Sequence, residues 1–299
     1  MDINAKQATA LLAVLDTGSF EKAAGRLHLT ASAVSQRIRA LENQFGGPLV
    51  VRNRPCVPTA AGVRLLQYLR RASQLEADFV ADLNGPVDAL WTAVVAVNAD
   101  SLSTWFFPEL AQDLLRENVL LDLTVDDQDH TYRSLEIGRA IGCICTEPQP
   151  MRGCNAIPIG VMRYRLMASR AFQKRWFPDG MTRQSAAQAP VIAYNRKDEL
   201  QSRFLKRRFG LLPDGFPRHY LPIPLPRLQA IEHGLGYGMV PELLLEEAAV
   251  DSGEMIDLAP DHPTDVALYW HSWNVQSPRM ASLCRRIVET GRRALRGVS

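Results

Sequence analysis

Ser19–Gly62 reads SFEKAAGRLHLTASAVSQRIRALENQFGGPLVVRNRPCVPTAAG, and its punctuation divides it into two short helices and a hairpin. Ser19 stands where a helix wants an N-cap, and Glu21 places a negative charge in the first turn beside the positive end of the helix dipole. Ala23, Ala24 and Leu27 form the apolar side of that helix. His28-Leu29-Thr30 makes a tight turn, after which Thr30 or Ser32 caps a helix carrying Ala33, Val34, Ile38, Leu41 and Phe45. Gly46-Gly47-Pro48 ends it by joining a glycine cap to a helix breaker. Leu49-Val50-Val51 and Val57 then bracket Arg52-Asn53-Arg54-Pro55, the tip of a predicted wing. Upstream, Ala8, Leu11, Leu12 and Leu15 at helical spacing predict a first helix that stops at Thr17-Gly18.

Two helices that cross closely need small residues at the crossing, which Ala23 and Ala24 supply, and apolar residues that lock the angle, here Leu27, Val34, Ile38 and Leu41. Ser32, Ser35, Gln36 and Arg39 are left pointing outward from the N-terminal half of the third helix, the half of a helix-turn-helix that enters the DNA major groove. Ser and Gln can hydrogen-bond base edges, while Arg37 and Arg39 can reach phosphate or guanine. With Arg52 and Arg54 on the wing, these are the expected DNA contacts. The net charge of +2 does not by itself announce nucleic-acid binding, but Met1–Pro86 carries a surplus of three basic residues, and most of the basic residues between Arg26 and Arg54 fall where a groove-binding helix and a wing would sit.

Beyond the wing, Thr59 caps a long amphipathic helix from Ala60 to about Asn84, with Leu66, Leu69, Ser73, Leu75, Phe79 and Leu83 as its stripe. Such a helix wants a partner, usually the same helix of another subunit. Gly85-Pro86 is the expected linker. From Leu90 onward strands alternate with helical stretches. Candidate strands are Val94–Val97, Leu121–Val125, Ile141–Cys145, Tyr164–Ala168, Val191–Tyr194, Tyr237–Val240 and Val266–Trp270, followed by a final helix ending near Leu295. That alternation predicts parallel α/β layers.

Other function classes find little support. No apolar run is long enough for a membrane span, and the N-terminus lacks a basic lead with a cleavable apolar core, so a cytoplasmic location is expected. The five cysteines are odd in number and form no C-x-x-C pair, which argues against a disulfide framework or a structural zinc. Cys143 and Cys145 alternate with Ile144 and read as buried thiols on one face of a strand. The six histidines show no metal-ligand spacing, and there is no G-x-S-x-G or Walker loop, so no enzyme, cofactor or metal is expected. Gly234-Leu235-Gly236-Tyr237-Gly238 lacks the spacing of a nucleotide loop and reads as a turn entering a strand.

The motif AAxxLxxTxSAVSxxIxxLExxFGxPLxxR, with PTxAG after it, resembles the LysR-type transcription regulators. Two departures stand out: Ala31 where many members carry Gln, and a proline-containing wing from Arg52 to Pro58. VNADSLSTWFFPEL, FPDGMTR, APVIAY, GEMIDLAP and LYWH further resemble the ArgP/LysG-like branch, the arginine- and lysine-responsive regulators also described as chromosome-initiation inhibitors. The resemblance implies a winged helix-turn-helix over 1–58, a linker and dimerisation helix over 59–88, and a two-lobed periplasmic-binding-protein-like α/β effector domain over 89–299. Its lobes would span about 89–163 with 267–299, and about 164–266.

In such folds ligands sit in the cleft at the carboxyl ends of strands. Ser101 and Ser103 follow one strand end and could hold a carboxylate at a helix start. Asp126 and Asp127 end the second strand and could attract an amine or guanidinium. Asn195 ends a strand of the second lobe, and Tyr237 enters another. The resemblance implies as partners a double-stranded DNA operator, RNA polymerase, a basic amino acid, and further copies of the chain as homodimer or homotetramer. The regulated genes would serve amino-acid export or biosynthesis. A replication-inhibiting or architectural DNA binder with little ligand response, or a LysR-type regulator with a different effector, is the alternative.

Overall fold

The computed structural model describes residues 3–83, 90–126, 132–247 and 254–297. Contacts divide the chain into two compact units, Met1–Ala89 with Arg133–Ile141 and Leu90–Tyr132 with Gly142–Ser299. The Gly85-Pro86 linker expected from sequence lies outside the described residues.

The first unit opens with α1 (Ala5–Thr17), α2 (Phe20–Arg26) and α3 (Ala31–Phe45). Each start is capped by a side chain. Asn4 Oδ1 accepts the Lys6 N–H at 2.9 Å, Ser19 Oγ that of Lys22 at 3.3 Å, and Thr30 Oγ1 that of Ala33 at 3.1 Å. Of the two caps offered for α3, Thr30 is therefore the one used. Gly46 ends that helix in the left-handed region, with φ 73°, where a Cβ would be strained. Leu11, Val14, Ala23, Ala24, Val34, Ile38 and Leu41 make one core, and Ala8, Leu12 and Leu15 pack at its margin. Phe45, expected on the buried face, is 38% exposed at the last turn of α3.

The wing is a minimal antiparallel pair, β1 (Val50–Val51) with β2 (Val57–Pro58). The 24-residue α4 (Ala60–Leu83) follows, about 36 Å long at helical rise. Its first half joins the core through Leu65 and Leu69, and Leu66 is buried as well. Farther along, Phe79 and Leu83 of the expected stripe are exposed, as are Tyr68 and Val80. Within the same unit Arg70 holds Asp16 and donates Nη1 to the Ile137 carbonyl at 2.7 Å.

The second unit runs from β3 (Trp91–Asn98) into α5 (Ala99–Ser101), a π-helical turn (Leu102–Phe106) and α6 (Phe107–Arg116). Next come β4 (Val119–Asp126), then α7 (Tyr132–Glu136), which from Arg133 on belongs to the first unit, and, back in the second, β5 (Gly142–Cys145) and the 16-residue β6 (Cys154–Ser169). There follow α8 (Arg170–Trp176), α9 (Arg183–Gln188), β7 (Val191–Ala193), α10 (Leu200–Phe209), β8 (Arg218–Tyr220) and α11 (Pro224–Glu232). The last elements are β9 (Gly238–Pro241), α12 (Glu242–Glu247), β10 (Met255–Asp257), β11 (Thr264–Trp273) and α13 (Pro278–Ala294).

Only part of the expected parallel layering is present. β3 is parallel to β4 and β5, and β7 to β8. The main sheet, ordered β10-β6-β11-β5-β3-β4, is mixed because β6 and β11 run antiparallel along nearly their whole lengths, and β9 and β10 also pair antiparallel with β6. β11 lies against β5 at its C-terminal end, while the far end of β6 pairs with β9 and β10. This pair is thus the spine joining a lobe built on β3–β5, α6 and α13 to one built on β7–β10 and α8–α12. Where the two strands cross between lobes, Arg163 grips Asp265 through two hydrogen bonds of 2.7 Å. All five cysteines are buried free thiols, Cys143 and Cys145 among them.

Gly62, the glycine of the PTxAG motif, is where α4 meets the wing. A Cβ there would lie 2.0 Å from the Leu49 carbonyl oxygen, the acceptor that binds the Thr59 N–H at 3.0 Å. Gly62→Ala is expected to destabilise the first unit by about 1–3 kcal/mol, as overpacking does. Urea unfolding followed by circular dichroism checks it; an unchanged midpoint would show that the wing moves aside freely.

Candidate functional site

In the first unit Ser32, Gln36 and Arg39 are exposed and Ser35 is half-buried. At spacings of three and four residues they form one stripe on α3, opposite the buried Val34, Ile38 and Leu41. Arg37 lies off that stripe and is half-buried. Arg54 is exposed at the tip of the wing.

Arg52 is exposed on the wing and also reaches back to α3. Its guanidinium lies 3.4 Å from Ser35 Oγ, 3.7 Å from Glu42 Oε2, and 5.0 Å above the Phe20 ring. Glu42 Oε1 in turn accepts the Leu49 and Val50 N–H groups at 3.0 and 3.3 Å. Arg52 and Glu42 therefore pin the base of the wing to α3. Sequence reading missed Glu42, although the LExxFGxPL motif puts a carboxylate in the last turn of α3, just before the chain turns into the wing.

In the second unit the register sets Asn98 of β3 beside Asp126 of β4, so the two strands end level. Asp127 lies outside the described residues. Asp100, two residues past the β3 end, accepts the Tyr164 hydroxyl on Oδ2 at 2.9 Å and Arg227 Nη2 on Oδ1 at 2.5 Å. Tyr164 comes from β6 and Arg227 from α11, so one carboxylate joins the spine and both lobes. Burial and the Asp100 carboxylate push the Tyr164 phenol well above its ordinary value, which keeps its proton in place to donate. Burial opposes the charge of Arg227, whose side chain is only 5% exposed. The Asp100 and Asp198 carboxylates more than offset that, and the guanidinium is held above its usual range.

Asp198 is the more deeply buried carboxylate of the site. It accepts the Tyr194 N–H at 2.9 Å and the Leu200 N–H at 3.0 Å, and the Gln201 amide nitrogen at 3.0 Å in the orientation its surroundings demand. Asn195 Oδ1 accepts the Lys197 and Asp198 N–H groups at 2.7 and 3.0 Å, so this side chain shapes the loop that presents Asp198. The Tyr194 ring lies 5.9 Å from the Arg227 guanidinium.

These groups, with Asn98, Met239 and Leu200, enclose a chamber of about 20 Å³, room for about one water molecule. A larger cavity of about 410 Å³ shares Asp198 and Leu200 with it and is further lined by Thr146, Arg203, Arg207, Thr264 and Tyr269. That volume is in the range of small-molecule pockets. Asn98 Oδ1 and Ser101 Oγ are buried without a hydrogen-bond partner, which is costly unless something else completes them.

Ser101 is thus next to the chamber and fully buried, while Ser103 is half-buried in the π-helical turn. Tyr237 is placed elsewhere. It is buried among Phe172 and Phe177, at ring distances of 6.0 and 5.4 Å, and lines neither cavity. Asp100, Tyr164 and Arg227 were not singled out from sequence. One signal existed for Arg227: it shares a helical face with Leu228 and Ile231, and a charge on a buried face asks for a partner.

A helix-turn-helix with an exposed polar stripe, in a chain whose second unit encloses a polar cleft between α/β lobes, defines a DNA-binding regulator with a ligand-binding unit. Family comparison agrees. Residues 5–63 match the family described as "Bacterial regulatory helix-turn-helix protein, lysR family", and residues 94–292 match the "LysR substrate binding domain". The chain belongs to the LysR family and is a regulator, not an enzyme. It is 39% identical to the HTH-type transcriptional regulator ArgP of Aeromonas salmonicida, over 96% of each chain. It is 42% identical to the HTH-type transcriptional regulator LysG of Mycobacterium bovis, over 99% of this chain and 95% of that one. Among solved structures, ArgP from Mycobacterium tuberculosis matches with a TM-score of 0.86 and 39% identity, covering 99% of this chain and 100% of that chain. Full-length LysG from Corynebacterium glutamicum with bound effector Arg matches with 0.78 and 33%, covering 98% and 100%.

Removing Asp100 leaves a buried guanidinium with one neutralising partner fewer. Asp100→Ala is expected to cost the effector unit about 3–5 kcal/mol, the usual penalty for breaking a buried pair from one side. Guanidinium-chloride unfolding measures it; a loss under 1 kcal/mol would show that water reaches Arg227 and the pair is not structural.

Proposed function

We propose that this chain senses a basic amino acid, arginine or lysine, in the cleft of its second unit and regulates transcription in response. The observation that carries this reading is the charge balance of the small chamber, where the buried Asp198 and the largely covered Asp100 face one buried guanidinium, while Arg203, Arg207 and Asp265 line the larger cavity beside it. One negative charge is left over, and the orphan acceptor Asn98 Oδ1 adds to a site that asks for donors. A similar regulator, LysG of Corynebacterium glutamicum, has been solved with bound effector Arg. The cavity of about 410 Å³ would take the body of the effector, with its cationic group reaching past Asp198 into the chamber toward Asp100. Ser101 and Ser103 would stand at the β3 end, level with the β4 end at Asp126.

Ser32, Ser35, Gln36 and Arg39 would meet base edges and phosphates, with Arg37 at the flank of the helix and Arg54 reaching from the wing. Arg52 would act through the wing base. The domain plan of 1–58, 59–88 and 89–299, with lobes changing near 163 and 267, belongs to the same reading. Tyr68, Phe79, Val80 and Leu83 leave an apolar surface on α4 for a second copy, giving a dimer or a tetramer built from dimers. Paired heads would read an operator of matching symmetry beside RNA polymerase, in the cytoplasm. Among the described residues no helix is long and apolar enough to cross a membrane. Effector acts by population shift, binding one arrangement more tightly than another.

Thermal unfolding of the full chain against the twenty amino acids tests the effector class. A ligand that binds only the folded state raises the midpoint by a free energy of RT ln(1 + [L]/Kd). Arginine or lysine alone should shift it; a shift with none of the twenty, or only with acidic or apolar ones, would remove the basic-amino-acid assignment.

A further inference from the structure

We propose that Arg227 is a tethered stand-in for the effector's cationic group, holding Asp100 while the cleft is empty and setting how tightly the effector binds. The inference rests on the basic-amino-acid reading of the cleft and adds to it the residue that competes for the site. Arg227 already has the surroundings that a bound guanidinium would seek. Asp100 takes its Nη2 at 2.5 Å, Asp198 lies close enough to raise its basicity, and the Tyr194 ring lies 5.9 Å away. It is buried to 4% exposure, and the space left beside it holds about one water. A ligand cation therefore takes the place on Asp100 Oδ1 that Arg227 Nη2 now fills only if Arg227 gives it up.

The opposite role, an anchor for the effector's carboxylate, fits the charges poorly. Asp100 and Asp198 already share the single guanidinium of Arg227. A ligand carboxylate would be the third anion beside one cation in a chamber with room for about one water, where like charges are weakly screened. A ligand cation instead meets a surplus carboxylate and the unpartnered Asn98 Oδ1. Because Arg227 sits on α11 and Asp100 follows β3, the exchange also releases the one buried ion pair described between these lobes. Affinity and lobe position would then be set by the same side chain.

A tethered competitor acts at a high effective concentration and so weakens the free ligand's apparent affinity. Calorimetric titration of the full-length wild type, Arg227→Gln and Arg227→Lys with L-arginine and L-lysine tests this, with thermal unfolding in parallel. Arg227→Gln should bind arginine about ten-fold more tightly or better, once the competing population is gone. Its unfolding midpoint should rise more on adding arginine than that of the wild type. Arg227→Lys, a one-point donor in place of a fork, should fall between the two, and it carries the test if the Gln variant does not fold. Unchanged or weaker binding in the variants, with the wild type still binding, overturns the competitor role and leaves the effector assignment standing. Binding of neither amino acid by any of the three proteins overturns that assignment and the stand-in role together.

Discussion

A carboxylate can lie inside this cleft because both of its oxygens are occupied, and what occupies them defines the effector unit. Asp100 takes one hydrogen bond from Tyr164 on the β6 spine and one from Arg227 on α11. The first ties the β3 end to the crossover strands. The second crosses to the other lobe. An isolated buried carboxylate would cost several kcal/mol, so the lobes cannot separate without either hydrating this pair or replacing one partner. A hydrated cleft and a liganded cleft are the two obvious replacements, which makes the pair a natural place for a signal to enter the fold.

The spine makes that signal mechanical. β6 and β11 cross between lobes as neighbouring antiparallel strands and are locked at the crossing by Arg163 and Asp265. The Asp265 carboxyl is held below its ordinary value, chiefly by hydrogen bonds from Arg163. A two-stranded connection of this kind permits rotation of lobe against lobe more readily than slippage of register, because slippage would turn every side chain to the other face. The lobes therefore have a small menu of arrangements, which is what population shift requires.

The head was legible in the sequence because its determinants are local. Caps at Ser19 and Thr30, the glycine at 46 and the spacing of Val34, Ile38 and Leu41 act within a few residues, and each is used in the structure as read. Arg52 was harder, because Ser35, Glu42 and Phe20 approach it only after the wing folds back onto α3. The same distinction runs through the second unit. Strands such as β3 and β4 were visible as apolar runs, yet the antiparallel pairing of β6 with β11 joins residues about a hundred positions apart, and alternation alone suggested parallel layers. Asp100 and Arg227 meet across 127 positions. Tyr237 was drawn toward the site by its place in a glycine-rich turn, but Phe172 and Phe177, distant in sequence, enclose it. Local chemistry named the strand ends; only the closed fold named the partners.

The central claim is that a basic amino acid in the cleft changes how this regulator engages DNA. Footprinting with DNase I on an operator first selected by the protein from random-sequence DNA, at fixed salt, with and without saturating L-arginine or L-lysine, tests it most directly. The account predicts a protected region whose extent or internal cleavage pattern changes with one of the two amino acids and not with L-glutamate. A clear footprint that is identical under all of these conditions would contradict it, leaving a LysR-family DNA binder whose binding does not answer to a basic amino acid.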